Sequence, residues 1–221
     1  MNIQFYAFVT TNEDSPRKAN YMKHAKFLDM SIRLNQPNGY LACMHGEAHD
    51  DIFLHRIAGF GNLLEATSDP CVYIDADTVV MKPIDDLFDG TFDIAVGYRW
   101  GNGLDACVAS VILFSGRDRA EEIKFVRKWY VRANAAFETE KWFYDQCSFN
   151  YMIGPPKIQR TQNEYENFVT YEPTIKAGIK YLDSFQISCP YTSGIPQDVR
   201  ILSLHHNVIN SKVPRFPWEK E

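Results

Sequence analysis

The chain has 221 residues, 45% apolar and 14% aromatic, with a formal net charge of −5, enough to close one core with at most a small subdomain. The acidic balance and the lack of any long basic run exclude a nucleic-acid backbone as main partner, and no stretch approaches the roughly 18 uncharged apolar residues of a membrane span. Cys43, Cys71, Cys107, Cys147 and Cys189 are spread singly and odd in number, which predicts free buried thiols in a reducing compartment and argues against a zinc site.

The opening "MNIQFYAFVTTNEDSP" has neither the basic start nor the small-residue cleavage site of a signal peptide, so a cytoplasmic location is expected. Within it "IQFYAFVT" predicts a strand closed by turn residues. From Arg17 to Leu34 the apolar residues Tyr21, Ala25, Leu28 and Ile32 recur at helical spacing. "GYLACM" predicts a second strand, "DIFLHRIAGFGNLLEAT" a helix weakened by Gly59 and Gly61, and "CVYID" a third strand. This alternation favours a mostly parallel α/β sheet with helices on both faces, which binds ligands at the carboxyl ends of its strands.

Further on, "FDIAVGY" and "ACVASVILF" predict strands, and Asp118–Phe137 and Trp142–Met152 predict helices. Ile123, Val126, Tyr130, Ala133 and Phe137 form the core-facing stripe of the first of these helices. After "IGPP" a looser segment is expected, ending in the strand-like "VRILSLHH" and a Pro-rich tail. Neither a repeat nor a clear linker interrupts the chain.

Asp75 and Asp77 stand where the apolar run "CVYI" ends. In an extended chain both carboxylates face one side, roughly 6–7 Å apart, and repel by about 2–3 kcal/mol at an effective dielectric near 20. A hard divalent cation with oxygen ligands reverses that sign. An acidic turn tip is the ordinary alternative, but the apolar strand before the pair favours a site.

"VYIDADTVVMKPIDDLF", Val72 to Phe88, resembles the D-x-D segment of GT-A glycosyltransferases, most closely glycogenin and related family-eight enzymes. The resemblance implies a Rossmann-like nucleotide-diphospho-sugar transferase fold over 1–221 as a single catalytic domain, with 1–98 the nucleotide-binding half. Residues 99–221 would form the sugar and acceptor half and a C-terminal metal and phosphate segment. It implies Mn²⁺ or Mg²⁺ on Asp75 and Asp77, a UDP-hexose donor lying along Asp75, Ala76 and Asp77, a glycan or protein acceptor, and retention at the anomeric carbon.

Three further stretches are similar to the same family. "AFVTTNEDSPRKANYMKHAKFLDMSI" resembles its opening strand, turn and helix, which puts Thr10 on the base or ribose and Tyr21 on the uracil ring. "YDQCSFNYM" is similar to D-Q-D-x-L-N and implies Asp145 and Gln146 as the catalytic pair beside the transferred sugar, with Cys147 replacing the third acid. "LHHNVINSKVPRFPW" is similar to H-x-x-G-x-x-K-P-W, which makes His206 a third metal ligand and Lys212 a phosphate contact. Ile209 stands where that pattern has glycine, and His205 is the alternative ligand if the register differs by one. Arg56 lies where related enzymes place a basic residue facing the donor; "ASVILFSG" resembles a core strand of the family without its asparagine, and Asp105 before it could reach sugar hydroxyls. Trp100, Phe216 and Trp218 are candidates for an acceptor or lid surface, with core packing the plainer reading.

Two rivals come from other classes. "VYIDADTVV" also fits the first motif of haloacid-dehalogenase-like phosphatases, with Asp75 as nucleophile, although that motif normally opens its domain. A catalytically silent sugar-nucleotide-binding module would keep the carboxylate pair and lose the sugar-site groups.

Overall fold

The computed structural model describes residues 1–10, 18–46, 51–98, 107–137, 144–153, 168–169, 175–187, 189–190 and 197–204, and of residues 10, 18–21, 151, 168–169, 185 and 189–190 the backbone alone. In chain order these form β1 (Ile3–Thr10), α1 (Lys18–Asn35), β2 (Gly39–Gly46), α2 (Ile52–Ala66), β3 (Cys71–Ile74), β4 (Thr78–Val80) and a 3-10 turn (Asp85–Leu87). There follow β5 (Ile94–Tyr98), β6 (Cys107–Phe114), α3 (Arg119–Phe137), α4 (Tyr144–Ile153), β7 (Phe168–Val169), β8 (Gly178–Asp183), α5 (Ser184–Ile187), β9 (Cys189–Pro190) and β10 (Ile201–Ser203).

The main sheet has seven strands in the order β2-β1-β3-β6-β5-β8-β7. β1, β2 and β3 pair parallel and so do β5 and β8, while β6 and β7 run against them. This is the mixed, mostly parallel α/β sheet that the alternation of strands and helices predicts. Every residue of "CVYI" in β3 and "IAVGY" in β5 is buried, as strands covered on both faces must be.

Alternate side chains feed two cores. On one face Tyr6, Tyr73 and Phe114 meet Phe60 of α2, Phe125 and Trp129 of α3 and Phe149 of α4. The other face packs Phe5, Ala7, Val72, Ile74 and Leu113 against Leu28 and Ile32 of α1. Tyr73 touches both Phe60 and Trp129 edge-on, with centroids 5.2 and 5.4 Å away.

α2 is a continuous helix in spite of its glycines. Gly59 is required by close approach: a Cβ there would collide with Tyr6 Oη and Met44 Sδ. The Tyr6 hydroxyl instead donates to the Arg56 carbonyl at 3.1 Å, which pins the helix on β1. The stretch after "IGPP" is less loose than the sequence suggests, because β8 adds a sheet strand with Ile179 and Tyr181 buried. The C-terminal strand β10 does not join the main sheet; it pairs antiparallel with β4 and parallel with β9 in a second, three-stranded sheet. Among the described residues no helix is long and apolar enough to cross a membrane.

Candidate functional site

The parallel strands β1, β2 and β3 end on one edge, at Thr10, Gly46 and Ile74. From β1 the chain passes to β2 on one flank and then crosses to β3 on the other. The carboxyl ends of β1 and β3 therefore border a topological switch point, the crevice where open α/β sheets take ligands. Antiparallel β6 brings its first residues, from Cys107, to the same edge.

Asp75 follows β3 directly. Its N–H donates to the Ser110 carbonyl at 2.9 Å, and the Thr78 hydroxyl donates to the Asp75 carbonyl at 2.6 Å. These bonds turn the chain, so Asp75 and Asp77 lie in a tight turn between β3 and β4 and not in the extended run that simple alternation supposes. Between them Ala76 is buried against the α1-side core. The Asp77 carbonyl accepts from Leu204 N–H at 2.6 Å, which extends the β4–β10 pairing to the carboxylate pair itself.

Arg56 reaches the pair from the second turn of α2. Its guanidinium forms an ion pair with the Asp75 carboxylate and lies over the Tyr73 ring, 4.3 Å from the centroid, a stacked cation in a largely desolvated place. Asp145, at the start of α4, is buried within electrostatic range of both Arg56 and Asp75. Burial raises its carboxyl above the usual range, and Arg56 opposes the rise. Burial also pushes Asp77 up to about 7, with the Asp75 charge adding to it and Arg56 again opposing. Among the described residues three carboxylates thus share one arginine, a local deficit of positive charge.

The oxygen donors and the raised pKa of Asp77 suit a hard divalent cation, whose charge would return Asp77 to its ionised form. Among the described residues no cluster of three or more His, Cys, Asp or Glu forms there, so Asp145 does not complete such a set.

Gln146 is engaged with the fold. Its amide oxygen accepts from Ala109 N–H at 2.9 Å and its NH₂ donates to the Cys107 carbonyl. Asn150, one turn later, accepts from Cys107 N–H and donates to the Cys107 carbonyl, both at 2.9 Å. Beyond the end of β3 this edge of β6 has no strand partner among the described residues, and the two amides bond it instead.

Of the residues expected from sequence, the structure brings together Arg56, Asp75, Ala76, Asp77, Asp145 and Gln146. Thr10 ends β1 and Tyr21 lies in the first turns of α1, but their side chains are outside the described part, as are Trp100, Asp105, His205, His206, Lys212, Phe216 and Trp218 entirely. Sequence reasoning missed Tyr73 as the floor under Arg56 and Asn150 as the partner of Cys107. Tyr73 did leave a signal, since it is two residues before Asp75 and shares its parity.

No model of a known protein family matches the chain, and no curated protein does. Solved structures do. A glycosyltransferase involved in glycosylation of the major capsid of PBCV-1 matches with a TM-score of 0.62 at 13% identity, over 93% of this chain and 94% of the other. The galactosyltransferase LgtC, solved with donor and acceptor sugar analogs, matches with a TM-score of 0.51 at 14% identity, over 92% and 86%. The glycosyltransferase GlyE of Streptococcus pneumoniae TIGR4 matches with the same score and identity over 84% of this chain and 46% of its own. At these identities it is the architecture that is shared: the chain has the GT-A fold of glycosyltransferases.

Proposed function

We propose that this protein is a metal-dependent glycosyltransferase that moves a hexose from a UDP-sugar to an acceptor hydroxyl, on a glycan or a protein, with retention at the anomeric carbon. The observation that carries the reading is the Asp75–Asp77 pair at the switch point of a GT-A fold, facing Arg56. Asp75 and Asp77 would hold Mn²⁺ or Mg²⁺, with His206, two residues beyond Leu204 and so within about 7 Å of chain, as third ligand. The bound cation would neutralise the charge that builds on the leaving diphosphate.

The chain's own groups do the rest. Arg56, freed from Asp75 once that carboxylate is committed elsewhere, offers its fork to a phosphate or sugar oxygen. Thr10 and Tyr21 would hold the ribose and uracil, Lys212 the diphosphate and Asp105 the sugar hydroxyls. Asp145, buried beside Arg56, would face the transferred sugar and order the acceptor hydroxyl; Gln146 holds the adjoining β6 edge in place.

That engagement of Gln146 is also what a binding module without transferase activity would show, and one experiment separates the readings. The protein is incubated with a panel of UDP-hexoses and Mn²⁺, with Asp77→Ala as control, and UDP release and donor binding are both followed. Mn²⁺-dependent UDP release lost in Asp77→Ala is the expected result. Donor binding without release favours the module, and turnover of a generic phosphomonoester without UDP release favours the phosphatase chemistry with Asp75 as nucleophile.

A further inference from the structure

The segment that leads to His206 is held in register by contacts remote from the carboxylates. β10 runs antiparallel to β4 with Ile201 opposite Val80, Leu202 opposite Val79 and Ser203 opposite Thr78, so each step along β10 is a step back toward Asp77. At the far end of this ladder the Arg200 guanidinium donates to the Pro83 carbonyl at 2.6 Å and to the Asp86 carboxylate at 2.7 Å. Its backbone is fixed as well: Met81 N–H donates to the Arg200 carbonyl at 2.7 Å, and Arg200 N–H donates to the Gln186 carbonyl at 2.7 Å. The corner that receives Arg200 is itself tied down, since Gln36, the residue after α1, donates to Asp85 at 2.6 Å and accepts from Ile84 N–H at 3.0 Å.

We propose that Arg200 is a positioning residue that locks the register of β10 on β4 and thereby keeps Leu204 N–H on the Asp77 carbonyl, fixing the Asp75–Asp77 turn in its cation-binding form. The proposal rests on the cation-site reading above. A slip of one residue would turn alternate side chains to the opposite face and break the Leu204–Asp77 bond that braces the carboxylate turn. Apolar packing of Val79, Val199, Leu202 and Leu204 favours the same register, but three residue pairs are a short ladder, and Arg200 adds a charge-assisted bond and a carbonyl bond where it begins. The two carboxylates of "IDDLF" thereby gain a purpose away from catalysis: Asp85 binds Gln36 just after α1, and Asp86 binds Arg200 just before β10.

The test measures Mn²⁺ uptake in the presence of UDP by the electron paramagnetic resonance signal of free Mn²⁺, for the full chain and for Arg200→Ala, Arg200→Lys and Asp86→Ala. Amide exchange at Leu204 and in α1 is followed on the metal-free proteins. Arg200→Ala is expected to weaken uptake roughly tenfold and to speed exchange at Leu204 while α1 exchange stays unchanged, with Arg200→Lys and Asp86→Ala between it and wild type. Uptake by Arg200→Ala equal to wild type, or exchange that rises equally in α1, overturns the positioning role alone. Absence of uptake by the wild type overturns the cation-site reading, and this proposal with it.

Discussion

Burial and the Asp75 carboxylate lift Asp77 from an ordinary 3.8 to about 7. Between those values the folded protein keeps a proton that the unfolded chain has released, so without a cation its stability falls as pH rises from about 4 to 7 and then levels. Asp77→Asn removes the ionisation, and at pH 8 the metal-free variant should exceed wild type by on the order of 1–3 kcal/mol in urea melts. The gap should close toward pH 4, and a variant no more stable at pH 8 would refute the burden assigned to Asp77. Gly59 is the complementary case, a residue that matters for what it lacks. Gly59→Ala puts a methyl against Tyr6 Oη and Met44 Sδ and is expected to cost about 1–3 kcal/mol despite alanine's better helix propensity. A stabilised Gly59→Ala would mean that α2 stands further from β1 than the Tyr6–Arg56 bond requires.

Where one element ends, another supplies its bonds. β3 stops at Ile74, and α4 continues its work on β6 through Gln146 and Asn150. Asn150→Ala takes the side-chain partner from the N–H of buried Cys107 and leaves its carbonyl to Gln146 alone, and should lower stability by roughly 1–3 kcal/mol. Gln146→Ala, at a half-buried position, should cost less; equal losses would show that the two amides do not divide the edge in this way. Such long-range amide bonds were illegible in the sequence, where "DQCSFN" reads equally well as a helix start or a sugar contact. The elements with strong periodicity were legible: β1 through β3 and α1 through α4 lie within a few residues of their expected bounds. β8 was passed over because Ile179 and Tyr181 alternate with Lys180 and Leu182 in a short run beginning at Gly178. The β4–β10 pairing was invisible because three-residue strands more than a hundred residues apart carry no local signal.

For the molecule as a whole, the sheet order turns local motifs into a site. The reversal between β1 and β3 creates the crevice, two aromatic and aliphatic cores clamp the sheet that frames it, and the first turns of α2 and α4 with the β3–β4 turn bring Arg56, Asp145, Asp75 and Asp77 to its mouth. The D-x-D was legible because a pair of charges at the end of an apolar strand has few inexpensive explanations. Its surroundings were less so, since Tyr73 and the Leu204 contact depend on which elements meet. Among the described residues three carboxylates face a single arginine, so a cation should be needed to make the binding of an anionic nucleotide favourable. Thermal unfolding of the full chain with UDP, with Mn²⁺, and with both tests this directly. UDP should raise the midpoint only when Mn²⁺ is present, and the joint shift should vanish in Asp77→Ala; a UDP shift of equal size without Mn²⁺, or one that survives Asp77→Ala, would contradict the assignment of the carboxylate pair to a cation-bridged nucleotide.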